Sequence, residues 1–204
     1  MQTVSKELIK RFKENEITNL SNDFGNFILI SLPNKNGNKI LMTSNLSEFR
    51  MNVHEKHAGE EYNELYFYLP SYWDLSDLGN PLINWVFIWL QKLKNHVIEK
   101  NTWFGNGHTL AANKELKPLS ETMLQNHFIL AHPIELKQEL SPIGLPDKKI
   151  HFLAVIPIFE DEMDYKQGKG TAKLFKKFEQ AKVTEKLDDY RKTVLKNRWN
   201  FFGK

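Results

Sequence analysis

Cysteine is missing altogether from the 204 residues. That absence removes disulfides, thiolate nucleophiles and cysteine-ligated zinc from the chemistry open to the chain. A chain without cysteine fits a reducing compartment, so a cytoplasmic location is the expectation. Long apolar runs are missing too. Residues Met1 to Glu14 alternate charged and apolar groups and never build the stretch a secretory signal requires. The most apolar helical segment, Pro81 to Val97, is interrupted by Asn84, Gln91, Lys92, Lys94 and Asn95. Those residues suit the wet side of a packed helix and would be costly in a bilayer, so no transmembrane segment is expected. There is no proline-rich linker, low-complexity tract or internal repeat. Residues 1–204 therefore read as one domain with an N-terminal helix and a basic C-terminal helical segment.

Charge is present in both signs but unevenly placed. Residues 165–204 hold 12 Lys or Arg against 4 Asp or Glu, whereas residues 1–164 hold 16 against 21. Lys173, Lys176, Lys177, Lys182 and Arg191 form the candidate basic patch. An acidic protein, a nucleic acid or an anionic membrane would each gain from neutralising it, and a solvated helix face explains it as simply.

Periodicity places a helix near Ser5 to Ile17 around Leu8, Ile9 and Phe12. Asn26–Leu32 and Lys39–Thr43 read as a hairpin turning at Asn36-Gly37, a pair that readily supplies positive φ. Glu64–Leu69 is a further strand, ended by Pro70, which has no N–H to offer the ladder. Asn80 is placed to cap a helix with Pro81 in its first turn. Leu82, Val86, Trp89, Leu90, Leu93 and Val97 then recur every three or four residues, giving that helix a broad apolar stripe. Phe128–Ala131 reads as a short strand and Ile150–Phe159 as a central one, with Pro157 implying an edge, bulge or late position. Its continuous apolar run asks for burial on both faces. After Gly170, Leu174, Phe175 and Phe178 mark an amphipathic helix, and a second helical segment is expected after Thr184. The fold class expected is mixed α+β: a central mixed, largely antiparallel sheet covered by helices.

No complete catalytic set accompanies this pattern. His108 follows Gly105-Asn-Gly107 and precedes Thr109, but a nucleophile needs a base and a third group that orients it, and adjacency in sequence supplies neither. Glu160, Asp161, Glu162 and Asp164 offer oxygen ligands without the alternation or glycine of a calcium loop, and a solvated acidic connection is the simpler reading. His54 and His57, like His127 and His132, lack the partners zinc would need. Gly105-Asn-Gly107 and Gly168-Lys-Gly170 lack the phosphate-loop and dinucleotide spacings and read as turns. No metal and no cofactor is expected.

Four pieces in order resemble the suppressor-of-fused-like family, including its bacterial single-domain members. They are Leu41-Met-Thr-Ser-Asn-Leu-Ser47 with Met51, Glu64-Leu-Tyr-Phe-Tyr-Leu-Pro70 with Trp73, Thr102-Trp-Phe-Gly-Asn-Gly-His-Thr-Leu110, and Phe152-Leu-Ala-Val-Ile-Pro-Ile-Phe-Glu160 through Gly168. Together they reach across most of residues 24–195. The resemblance implies a mixed α/β domain used for protein binding rather than catalysis. For bacterial members it implies immunity proteins against polymorphic toxins. On that reading Trp73, Trp103, His108, Glu160 and Asp161 are the candidate partner-binding residues, aromatic anchors beside acceptors for a partner's cations. Two alternatives stand beside it: a nucleic-acid accessory protein using the basic patch, and an enzyme using His108 as general base with a carboxylate or metal from residues 160–164.

Overall fold

Alternation along the strands sorts the apolar side chains onto two opposite faces of one sheet, because successive residues of a strand point to opposite sides. The computed structural model describes residues 3–112 and 117–195. Its strands are β1 (Ile17–Asn22), β2 (Gly25–Leu32), β3 (Asn38–Thr43), β4 (Tyr62–Leu69), β5 (Thr109–Ala111), β6 (His127–Ala131), β7 (Ile143–Gly144) and β8 (Lys149–Ile158). The helices are α1 (Thr3–Ile9), α2 (Pro81–Lys100), α3 (Glu160–Lys169) and α4 (Thr171–Gln180). The sheet runs β1-β2-β3-β4-β8-β6-β5, with β7 attached to β8. Every pairing is antiparallel except β4 with β8, where Tyr62 meets Ile150 and Tyr66 meets Ala154 in parallel.

One face packs Ile28, Ile30, Tyr66, Tyr68, Phe152 and Ile156 under α1 and α4, through Leu8, Leu174 and Phe178. The other packs Phe27, Leu65, Phe67, Phe128, Leu153 and Val155 under α2, through Val86, Phe87, Leu90, Leu93 and Val97. This is the mixed α+β architecture expected, with central strands buried on both sides. The turn before β3 puts Asn36 at φ 58° and Gly37 at φ 73°, and Asn80 accepts from the Leu82 N–H at 3.0 Å to start α2. Pro157 lies late in β8, opposite Phe128 and beyond the last residue paired to β4.

Three expectations are corrected. The N-terminal helix stops at Ile9 rather than near Ile17, and residues 17–22 form an edge strand paired with β2, with Ile17 and Leu20 three positions apart and packed against the opposite cores. The acidic stretch from Glu160 is the first turn of α3, not a connection, since carboxylates suit a helix N-terminus. No helix begins between Thr184 and Leu195, where the chain runs in turns. The remainder of the expected basic C-terminal helical segment lies outside the described residues. Among the described residues no helix is long and apolar enough to cross a membrane.

Candidate functional site

Three buried carboxylates fix the loops around the sheet. Glu64 accepts from the Thr43 hydroxyl at 2.5 Å, the Ser47 hydroxyl at 2.7 Å and the Ser47 N–H at 3.0 Å. Its carboxyl is raised by burial, against which these bonds act. Glu185 accepts the backbone N–H groups of Ile134, Glu135 and Leu136 at 2.9 to 3.0 Å. Glu162 takes both ends of the Arg191 guanidinium at 2.7 and 2.8 Å, and also the N–H groups of Val194 and Phe159. Arg191 also donates to the Pro157 carbonyl and sits against the Phe159 and Phe178 rings. Each acid is fully engaged by donors, the usual condition for a carboxylate in a protein interior.

Two of these anchors hold the chain between them. Glu185 ties the segment to residues 134–136, and the Leu187 N–H, bonded to the Tyr68 carbonyl at 2.8 Å, ties it to the end of β4. Arg191 ties it to α3. Between the anchors, residues 188–190 form a surface turn closed by the Tyr190 N–H on Asp188 Oδ1 at 3.0 Å. The buried Gln125 amide donates to the Asp188 carbonyl at 3.3 Å.

Tyr190 is 81% exposed, Tyr72 60% and Leu124, next to Gln125, 76%. Apart from Ile98 they are the large apolar side chains exposed among the described residues. Tyr72 is close enough to the turn that its phenol is pushed up to about 12, by partial burial first and then by Asp189 and Asp188. Asp189 itself is pushed up to about 6, by burial first and then by Asp188. Its Oδ1 is buried without a hydrogen-bond partner, and so is Oε1 of Gln125.

The sequence-predicted residues are scattered around this frame. Trp73 is 2% exposed and packs edge-on to Trp85 at 5.8 Å, so it is a core residue and is closed to a partner. Trp103 lies at the surface between His57 at 4.5 Å and His108 at 4.3 Å. The His108 ring bonds to the Trp103 backbone, and its pKa is lowered by burial and then by Lys166 and His57. Lys166 donates to the hydroxyl oxygen of the neighbouring Thr109 at 3.2 Å. Glu160 is exposed at the start of α3, while Asp161 accepts from the Thr193 hydroxyl at 2.8 Å.

Of the basic patch, Lys173, Lys176 and Lys182 are exposed and Lys177 is half-buried. Arg191 does not belong to that patch: its side chain is 8% exposed and saturated by Glu162. A groove of about 450 Å³, partly walled by Ile134, Phe175, Phe178 and Val183, has Lys137 and Lys182 in its lining. Among the described residues no group of three or more His, Asp or Glu side chains is arranged to hold a metal ion.

The sequence profile described as suppressor of fused protein matches residues 26–192. The chain belongs to the suppressor of fused family. Solved structures of the family share its fold at low identity. The chain of a Sufu–Fu complex crystal structure is 13% identical with a TM-score of 0.66, over 94% of this chain and 90% of that one. A suppressor of fused homolog from Neisseria gonorrhoeae is 16% identical with a TM-score of 0.61, over 96% of each chain. Drosophila Suppressor of Fused is 14% identical with a TM-score of 0.60, over 87% of this chain and 46% of its own. No curated protein matches by sequence.

Within this suppressor of fused fold, sequence reasoning passed over Glu185, Tyr72 and Tyr190, and placed Glu162 in a solvated acidic connection although it is buried. Glu162 and Arg191 stand 29 positions apart and Glu185 reaches 134–136 across about 50, so no local pattern joins them. Tyr72 and Trp73 are neighbours in the chain with opposite burial, a distinction that composition does not carry.

Proposed function

We propose that this suppressor of fused member is a non-catalytic protein-binding module. In its finer form the reading is an immunity protein that occupies a toxin in the cytoplasm, acting through a single domain. The observation that carries protein binding is the exposed Tyr190 on the anchored 188–190 turn, with the exposed Tyr72 near that turn and the exposed Leu124 next to Gln125, which bonds to the turn. Tyrosines held on a pre-ordered turn supply contact area at small entropic cost, which is how interface anchors work. A relative of the same fold was crystallised in a complex with Fu, which supports partner binding by this architecture. The engaged state of Glu64, Glu162 and Glu185 supports a structural rather than acid–base use of the buried acids.

A tagged full chain, used for capture from its native cell and then titrated against the enriched protein, tests the reading. A saturable protein partner, toxic when expressed alone and harmless with this chain, is the expected result. A folded bait that retains no saturable partner overturns it. Tyr190→Ala and Trp103→Ala separate the turn from the Trp103, His108 and Glu160 surface as the contact face.

A second reading, nucleic-acid binding, is favoured only by the exposed Lys173, Lys176 and Lys182. It requires an affinity that falls steeply with salt and with charge reversal on α4.

A further inference from the structure

We infer that the Asp188–Tyr190 turn, with Tyr72, Leu124 and Gln125, is a docking site for an arginine side chain of a protein partner, flanked there by apolar partner residues. The inference rests on the protein-binding reading and names the partner's chemistry at that surface.

Four observations converge. Acceptors are in surplus: Asp189 Oδ1 and Gln125 Oε1 have no donor, although buried oxygens nearly always find one. Among the described residues no cation supplies one, since neither Asp188 nor Asp189 takes part in an ion pair there. Two cations beside the site are committed elsewhere, while Lys186 and Lys192 are exposed and pair with neither aspartate. Arg191 is spent on Glu162, and Lys39 bonds to the carbonyls of Ser71 and Trp73. The surroundings are aromatic and exposed, with Tyr72 and Tyr190 offering faces over which a guanidinium stacks.

Arginine fits this combination better than lysine. Its planar fork carries five donors, enough for a carboxylate and a nearby amide oxygen together. It is also more weakly hydrated, so it loses less on entering a half-buried site. The turn does not have to be ordered on binding, because Glu185 and Arg191 already fix both of its ends. Partial burial raises the Asp189 carboxyl, and the positive charge of an incoming guanidinium would act against that rise by favouring the ionised form.

The probe is a phage-displayed library of random short peptides selected on the immobilised full chain. The enriched peptides are then synthesised and titrated against wild type, Asp189→Asn and Tyr190→Ala. Thermal melts check that both variants fold, and Tyr72→Ala serves as an independent third. The expected result is enrichment of arginine beside an aliphatic or aromatic residue. Affinity should fall at least about tenfold in each folded variant and when the peptide arginine is replaced by citrulline. Charge reversal of Lys173 and Lys176 should leave it unchanged. Enriched peptides without arginine, or peptides that bind the variants as well as wild type, overturn the arginine site while leaving protein binding standing; shifted NMR resonances would then place them, for example in the groove beside Phe175. No enrichment over an unrelated folded bait overturns both.

Discussion

Glu162 and Asp189 lie within reach of the same short segment and are used in opposite ways. Glu162 is fully buried and every lone pair it can offer meets a donor, two of them on Arg191. Asp189 is half-buried, and its Oδ1 is buried without a donor. The contrast shows how a scaffold and a recognition surface are told apart when both contain carboxylates. A satisfied acid holds the structure together, and a half-buried one with an oxygen left over marks where something else can be held.

That comparison can be broken in four places, in falling order of effect. Glu162→Ala leaves Arg191 buried without its counter-charge, and breaking such a pair by removing one partner costs about 3–5 kcal/mol. Urea unfolding should show that loss, and a variant as stable as wild type would mean that the pair contributes nothing to the fold. Glu185→Ala strands three backbone N–H groups and should cost about 1–3 kcal/mol, with faster amide exchange at Ile134, Glu135 and Leu136.

Asp189→Asn should move stability the other way, and only in one pH range. The folded-state value of about 6 lies above the unfolded value of 3.8, so between them the folded chain holds more protons and wild-type stability falls as pH rises. The variant lacks that slope. It should gain on wild type from pH 4 to pH 6 and keep a constant advantage above, of order 1 kcal/mol after allowance for solvent screening at a half-exposed group. Parallel melting curves across that range would remove Asp189 from the account. Tyr190→Ala should change stability by no more than about 0.5 kcal/mol, because an 81% exposed ring contributes little to the fold. A larger loss in a thermal melt would make the ring part of the scaffold and blur the distinction.

How much of this was legible in the sequence depended on whether the deciding contacts were local. The β2–β3 turn at Asn36-Gly37 and the Asn80 cap depend on residues within a few positions, and both appear where the sequence places them. The strand β8 announced itself by an unbroken apolar run that only two-sided burial tolerates. The edge strand β1 went unassigned because its two apolar residues, Ile17 and Leu20, stand three apart and give no alternation, and the expected helix was carried on to Ile17 although α1 stops at Ile9. Helix α3 was hidden because its first turn is wholly acidic and gives no apolar stripe; a helix N-terminus explains the same residues. Trp103 and His108 were singled out from one loop and do meet. Trp73 was misplaced because an aromatic ring suits a core and a surface equally well. Nothing short of the fold shows that residues 188–190 stand between two buried anchors.

The parallel joint between β4 and β8 also sets a clock. Every other pairing in the sheet can be approached through nearer neighbours, and β2 with β3 needs only a hairpin. The central seam must bring Tyr62 to Ile150, closing a long stretch of chain before any contact there rewards it. The β1–β3 meander is therefore expected to form early and the seam late. On a ribosome, the middle of the sheet stays open until β8 has emerged, and the unpaired side of β4 is the stretch that a chaperone would have reason to cover.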